Sequence, residues 1–514
     1  MPASRHQRAR FGIAVGALCI TLGIATVSST AAPQPSQKAA TNGKLTKKER
    51  KKRRVEQLRE ANKKQKRPNI LVVMTDDQDA SMEGLNRVTR LIGSKGTTFT
   101  NSYVSFPLCC PARATFLTGQ YAHNHGVTST ELPNGYGAFN KTNHLAIWLR
   151  RAGYRTGMVG KYLNGYGIDD GIPERVSDAK EVPSGWREWY ALTADKDQRR
   201  YHYRLNENGK IIKYKGARKD YVTDVLGGKA VDFVRRNAPR PKPFFLWFNP
   251  TAPHGEAGGS FRATRNPTPA RRHFGLYEGS FRPRTPNFNE KDVSDKPAVV
   301  RTTPELGTAE ILDIDQRYRG RVESLLSVDQ VVKRLFTRLR KARDLRKTYV
   351  IFTSDNGLMM GAHRLLLKNY LYEEDTRVPL MIRGPRFPKG AVRDQFVSNV
   401  DLAPTIVELT KVKPGLTMDG RSLLGPANDT DVGVGREVLF EVTGDDAGIR
   451  SGQWIYIDRG PGDTSELYNM VADPFQLDNL LAVIGHPTPA EQTVADQLKA
   501  RLTQLRGCAG ASCP

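Results

Sequence analysis

From Pro68 onward the chain separates into short apolar runs and longer amphipathic stretches. Ile70–Met74, Phe244–Phe248 and Tyr349–Thr353 are almost wholly apolar, and Tyr154–Val159 is strand-like. Runs of this length, rich in β-branched and aromatic residues, predict strands buried on both faces of a sheet. Asn143–Arg151 and Leu325–Leu339 carry a helical pattern, the latter feeding the strand that follows it. Strands alternating with helices predict an α/β domain built on a mostly parallel sheet. Beyond about residue 415 the pattern changes. Val438–Val442, Trp454–Ile457 and Glu466–Tyr468 are short strand-like pieces between Gly-rich turns, and Pro489–Leu505 is helical. These predict a smaller C-terminal α+β domain. No internal repeat is present.

The polar residues of interest follow the strand ends. Asp76-Asp77 closes the first run, His254 lies just past the third, and Asp355-Asn356 closes the fourth. Open α/β sheets bind ligands outside the carboxyl ends of their strands, so the pattern alone predicts that these residues converge.

The N-terminus adds a compartment. Arg5, Arg8 and Arg10 precede the apolar run 11–27, and small residues follow up to Ala32. That order is a secretory signal, with cleavage near Ala31 or Ala32 and an uncleaved anchor as the alternative. Arg8 and Arg10 are not adjacent, which argues against a twin-arginine signal, and Leu18 before Cys19 argues against lipidation. The formal charge of +26 is concentrated in residues 38–67, where 14 Lys and Arg face three Glu. Such a block reads as a solvated, disordered linker, or as a tether for polyanions. It carries no base-reading motif, so a specific nucleic-acid partner is not expected. The expected organisation is thus signal 1–32, basic linker 33–67, catalytic domain 68–415 and C-terminal domain 416–514. In an exported protein Cys508 and Cys513 can close a small terminal loop. Cys109 and Cys110 are adjacent and poorly placed to bridge each other, so they call for another explanation.

Cys109-Cys110-Pro111-Ala112-Arg113, followed by Leu117-Thr118-Gly119, has the form C-x-P-x-R…L-T-G. This string resembles the signature of the formylglycine-dependent sulfatases. The resemblance implies an alkaline-phosphatase-like sulfatase fold and oxidation of Cys109, which alone has Pro at +2 and Arg at +4, by a formylglycine-generating enzyme. The family usually has Ser at Ala112. The hydrated aldehyde would be the nucleophile, with Arg113 one helical turn away to meet negative charge.

A sulfate ester calls for a metal and a cationic clamp. Asp76, Asp77, Asp355 and Asn356 offer hard oxygen ligands, completed by modified Cys109. Such a set suits Ca²⁺ or Mg²⁺, and the resemblance implies Ca²⁺ first. It also implies sulfate-binding roles for Lys161, in Gly160-Lys161-Tyr162, and for Lys368. His254, in Ala252-Pro253-His254, or Lys368 would protonate the leaving alcohol. Many sulfatases carry a His two residues after the first Lys; here that position is Leu163, which makes His123 and His125 candidates for the missing base. The segments around Cys109, Gly160–Gly167 and Tyr372–Pro385 look most like the N-acetylglucosamine-6-sulfatase branch. The expected partner is a sulfated sugar or another sulfate ester. The rival expectations are a phosphonate or phosphodiester hydrolase of the same superfamily, and an inactive polyanion-binding protein.

Overall fold

The computed structural model describes residues 46–168, 178–193, 199–238, 240–256 and 266–514. The expected secretory signal lies outside the described residues. Everything below belongs to the compact unit Arg53–Pro514, unless it concerns the basic helix.

That helix is a correction. The stretch expected to be a disordered linker contains an α-helix over Lys47–Lys64. It has no Gly or Pro, and Lys, Arg, Glu, Gln, Leu and Ala all favour helix. Thr46 and Glu49 cap it reciprocally: Glu49 N–H donates to Thr46 Oγ1, and Thr46 N–H to Glu49 Oε2. Among the described residues no helix is long and apolar enough to cross a membrane.

Among the described residues ten strands form the main sheet, in the order Ala391–Arg393, Thr97–Phe99, Leu380–Arg383, Thr348–Ser354, Asn69–Thr75, Phe244–Asn249, Arg155–Gly160, Glu188–Leu192, His202–Glu207 and Lys210–Lys215. The five central strands, Thr348–Ser354 through Glu188–Leu192, run parallel. Antiparallel pairs appear on both sides of them.

The apolar runs are continuous because helices cover both faces. Ile70, Val72 and Met74 face one layer with Phe116, Leu149 and Ile406; Leu71 and Val73 face the other with Leu226, Val234, Leu325 and Val332. Each such aliphatic side chain contributes roughly 1.5–3 kcal/mol of burial. The helix expected at Leu325–Leu339 spans Thr308–Ala342.

Four antiparallel strands, Val438–Glu441, Ala447–Ser451, Trp454–Asp458 and Glu466–Asn469, make a second sheet. Leu439, Ile449 and Leu467 pack under helix Pro489–Leu505 through Leu498 and Leu502. The opposite face, with Val438, Phe440 and Ile455, meets Tyr103 and Leu371. Leu423, Leu424 and Ala427 join the core of the large sheet, so apolar packing of that core continues past residue 415. Cys508 and Cys513 are disulfide-bonded, as their spacing suggests.

Candidate active site

The strand register places the acids. Asn69–Thr75 and Thr348–Ser354 are parallel neighbours with Thr75 opposite Ser354. The next residues of each, Asp76-Asp77 and Asp355-Asn356, therefore emerge side by side at one edge. Lys161 leaves the strand Arg155–Gly160 at the same edge. Gly160 has φ +127°, and a Cβ there would stand 1.8 Å from the Asn249 carbonyl oxygen, so only glycine lets these chains approach. Gly357 plays the same part after Asn356, with a Cβ position 2.1 Å from Glu374 O.

The helix Cys109–Thr118 is buried along its whole length, with Cys109 in its first turn facing the acids. Cys109 Sγ lies 3.5 Å from Asp76 Oδ1 and 3.7 Å from Asp77 Oδ1. Lys161 Nζ approaches it to 3.3 Å and Lys368 Nζ to 2.6 Å. Lys161 also pairs with Asp76 at 2.9 Å, and Lys368 with Asp77. Arg113 holds Asp355 Oδ2 through Nε at 2.8 Å and Nη2 at 2.7 Å. Its Nη1 donates to the Lys161 carbonyl at 2.7 Å. Asp355 Oδ1 accepts from Asp77 N–H at 3.1 Å, and Asn356 Nδ2 donates to Asp77 Oδ1 at 2.8 Å. His254 Nε2 stands 3.5 Å from Asp77 Oδ2. All nine residues expected from the sequence thus meet at one place.

Three carboxylates face three cations here. Burial opposes ionisation of Asp76, yet Lys161, His254, Arg113 and Lys368 hold its pKa well below the carboxylate range. Against the same burial, Lys368 and His254 hold Asp77 at about 2. Asp355 is the exception: burial lifts it above its ordinary value despite Arg113. The Cys109 thiol is pushed strongly up by burial, more than Lys161 and Lys368 can offset. Unmodified Cys109 is therefore a neutral thiol, a poor nucleophile. Burial lowers His254 to about 4.

The donor set suits a cation. Ligating atoms of Asp76, Asp77, Cys109 and His254 all lie within 4.8 Å of one another. Asn356 turns its Nδ2 inward to Asp77, which leaves its buried Oδ1 without a donor. A hard cation against Asp77 would reverse that preference and face the oxygen inward. Asp355 adjoins the cluster, but both its oxygens are engaged by Arg113 and by backbone N–H groups.

The profile described as "Sulfatase" matches residues 68–412. The chain belongs to the sulfatase family. A second profile, "N-sulphoglucosamine sulphohydrolase, C-terminal", matches residues 361–507 of this sulfatase. The human N-acetylglucosamine-6-sulfatase is 32% identical over 501 residues, which cover 87% of this chain and 86% of that one. Extracellular sulfatase Sulf-1 homologues of Caenorhabditis elegans and Drosophila melanogaster are 35% and 34% identical; the chain spans only 48% and 31% of their length. A solved structure, in complex with its substrate D-glucosamine-2-N,6-O-disulfate, superposes with TM-score 0.69 at 25% identity and covers 86% of this chain and 98% of its own. These likenesses bear out the alkaline-phosphatase-like sulfatase architecture.

The two further histidines are engaged elsewhere. His123 Nδ1 pairs with Glu441 at 2.8 Å, and its Nε2 donates to the Cys508 carbonyl at 2.8 Å. His125 bonds Thr115 Oγ1 at 3.0 Å and accepts from Val127 N–H at 3.1 Å. Leu163 packs in the main core. One residue was missed. Arg321 of the long helix donates to the Asp77 carbonyl. Its signal was a cation on the apolar stripe that continues through Leu325, Val328 and Val332.

Proposed function

We propose that this chain is an extracytoplasmic sulfatase that removes sulfate from a 6-sulfated N-acetylglucosamine-type sugar, with Cys109 oxidised to formylglycine and a Ca²⁺ ion at the acidic cluster. The observation that carries the reading is Cys109 Sγ standing within 3.7 Å of two carboxylates and two lysines at once. That sulfur marks where the oxygens of the hydrated aldehyde would sit.

Oxidised and hydrated, position 109 supplies one hydroxyl to attack sulfur and a second whose loss of a proton releases sulfate without water attacking a hindered ester. Asp76, Asp77, Asp355 and Asn356 would hold a divalent ion, which would supply Lewis-acid stabilisation of charge on the sulfate. The chain's own residues do the rest. Lys161 and Lys368 reach the nucleophile's position and hold the sulfate oxygens. Arg113, braced by Asp355, fixes the helix that carries residue 109. His254 donates Nδ1–H to Gly255 O at 2.7 Å, which directs Nε2 toward the reacting centre. There Lys368, or His254 once the anionic ester favours its imidazolium form, delivers the proton to the leaving alcohol. Three carboxylates against three cations are neutral overall. A divalent ion therefore leaves room for two negative charges, the ester's own and that of the deprotonated nucleophile.

The human relative bears its 6-sulfatase name over most of its length, and the solved neighbour holds a 6-O-sulfated glucosamine; both support the substrate class. Cys109 is buried, so a formylglycine-generating enzyme must reach it before folding is complete.

The test combines mass and metal. The Cys109 peptide should weigh about 18 Da less than its cysteine form, the loss on conversion to the aldehyde nucleophile. Chelation should abolish turnover of N-acetylglucosamine 6-sulfate, and Ca²⁺ should restore it. Unmodified Cys109 in fully active enzyme, or higher turnover of an aryl phosphodiester than of the sulfate ester, would overturn the reading.

A further inference from the structure

The reacting centre opens into a cavity of about 480 Å³ whose lining includes Asp77, His254 and Lys368 together with Arg317, Arg321 and Arg364. Arg321 is 5% exposed. Its Nη2 donates to the Asp77 carbonyl, while its Nη1 has no acceptor among the described residues. Asp79, the carboxylate with the strongest pull on it, is itself bound to Arg282 at 3.0 Å. Arg364 donates to three backbone carbonyls, of Glu290, Lys291 and Thr303, rather than to an acid. Arg317 pairs with Asp313 at 3.3 Å. Among the described residues the wall thus carries Lys368, Arg317, Arg321 and Arg364 with the carboxylates Asp77 and Glu310, and Asp313 behind it pairs with Arg317.

A buried guanidinium with a spare donor and no carboxylate is costly in a folded protein. An anion in the cavity relieves that cost, and a planar guanidinium suits sulfate and carboxylate equally. The sulfate to be cleaved does not fill this role, because Lys161 and Lys368 reach the nucleophile's position and are assigned to it. We propose that Arg321, with Arg317 beside it, binds a second anionic group of the substrate, a sulfate or a carboxylate, and so selects sugars that carry two negative charges. The inference rests on the reading of the centre as a glycan sulfatase and adds the substrate's charge pattern.

The experiment compares kcat/KM of the matured full chain on three substrates at low salt. These are N-acetylglucosamine 6-sulfate, glucosamine 2-N,6-O-disulfate, and N-acetylglucosamine 6-sulfate linked to a uronic acid. One doubly charged substrate should exceed the singly charged one by about tenfold or more, the size of a charge-assisted hydrogen bond. The one that does so identifies the second group as sulfate or carboxylate. In Arg321→Gln the ratio should collapse towards one, whatever happens to absolute activity, and Arg321→Lys should restore part of it. Equal kcat/KM on all three substrates with wild-type enzyme, or an undiminished ratio in Arg321→Gln, overturns the proposal. Should Arg321→Gln not fold, the wild-type ratio still decides, and Arg317→Gln is expected to lower it. Absence of turnover on every sulfate would instead sink the underlying sulfatase reading.

Discussion

Two clusters of buried charge in this molecule look alike in isolation and differ in kind. At the second sheet one buried carboxylate, Glu466, is held by three donor residues. Arg459 reaches Oε1 at 2.5 Å, and Tyr372 and Tyr468 donate to Oε2 at 2.8 and 2.6 Å. Arg459 also pairs with the partly exposed Asp446 at 2.7 Å, and Glu466 is fully buried. At the Cys109 centre three carboxylates crowd together and need three cations to hold them. Like charges packed this closely repel unless another positive charge is shared among them. Burial of charge thus does not mark a site; redundancy of one sign does.

The sharpest way to break the comparison is one substitution in each cluster. Asp77 has φ +64°, a conformation Asn adopts readily, so Asp77→Asn removes charge at little steric cost. It should lower kcat/KM by about a thousandfold or more, as expected for loss of a group that stabilises transition-state charge. Its thermal midpoint should fall less than that of Glu466→Gln, because relief of the repulsion from Asp76 offsets part of the lost attraction to Lys368. Glu466→Gln should do the reverse. Leaving Arg459 with only the partly exposed Asp446 should cost about 3 kcal/mol, while activity per folded molecule persists. Denaturant midpoints and initial rates on the two variants measure both halves. A destabilised, active Asp77→Asn enzyme would erase the distinction.

The next effect separates two groups within the catalytic cluster. If His254 delivers the proton to the leaving alcohol, His254→Asn should slow hydrolysis of a sugar sulfate by about a hundredfold. An aryl sulfate, whose leaving group needs no proton, should lose much less. Equal losses on both substrates would assign the proton to Lys368 and leave His254 as a neighbour of Asp77.

The site was legible in the sequence where covalent adjacency sets it. Asp76-Asp77 and Asp355-Asn356 continue strands whose apolar runs are unmistakable, and parallel pairing of those strands does the rest. Cys109 and Arg113 are one helical turn apart in a single motif. What escaped has physical reasons. The first half of the helix Thr308–Ala342 buries Asp315, Arg317, Arg321 and Glu323. These charges interleave with the apolar stripe of Ile314, Tyr318 and Val322 and dilute it, so the helical pattern stands out only from Leu325 and the cavity wall did not. The edge hairpin His202–Glu207 and Lys210–Lys215 is half-exposed and charged, so it lacks an apolar signature. Asn208-Gly209, both at positive φ, was the available signal for its turn. The basic helix Lys47–Lys64 was masked by its charge, although its residues favour helix one by one.

The smallest predicted effect concerns a histidine that the sequence offered as a base and the fold uses as a strut. His125 accepts from Val127 N–H through Nδ1, so its Nε2–H donates to Thr115 on the Cys109 helix. Protonation would break the first of these bonds. Burial, aided by the positive charge of His123, lowers its pKa from 6.5 to about 3. The unfolded chain then binds a proton at this residue below pH 6.5 while the folded chain does not. Its contribution to stability is present in full above pH 6.5 and falls as the pH drops toward 3, with a slope approaching about 1.4 kcal/mol per pH unit. His125→Gln should cost about 1 kcal/mol at pH 7 for imperfect hydrogen bonds and should flatten the acid limb of the stability profile between pH 6 and 4. Because neither ring nitrogen is directed at the Cys109 centre, the pH profile of kcat should keep its shape. A shifted kcat profile with unchanged acid stability would return His125 to the catalytic side of the comparison.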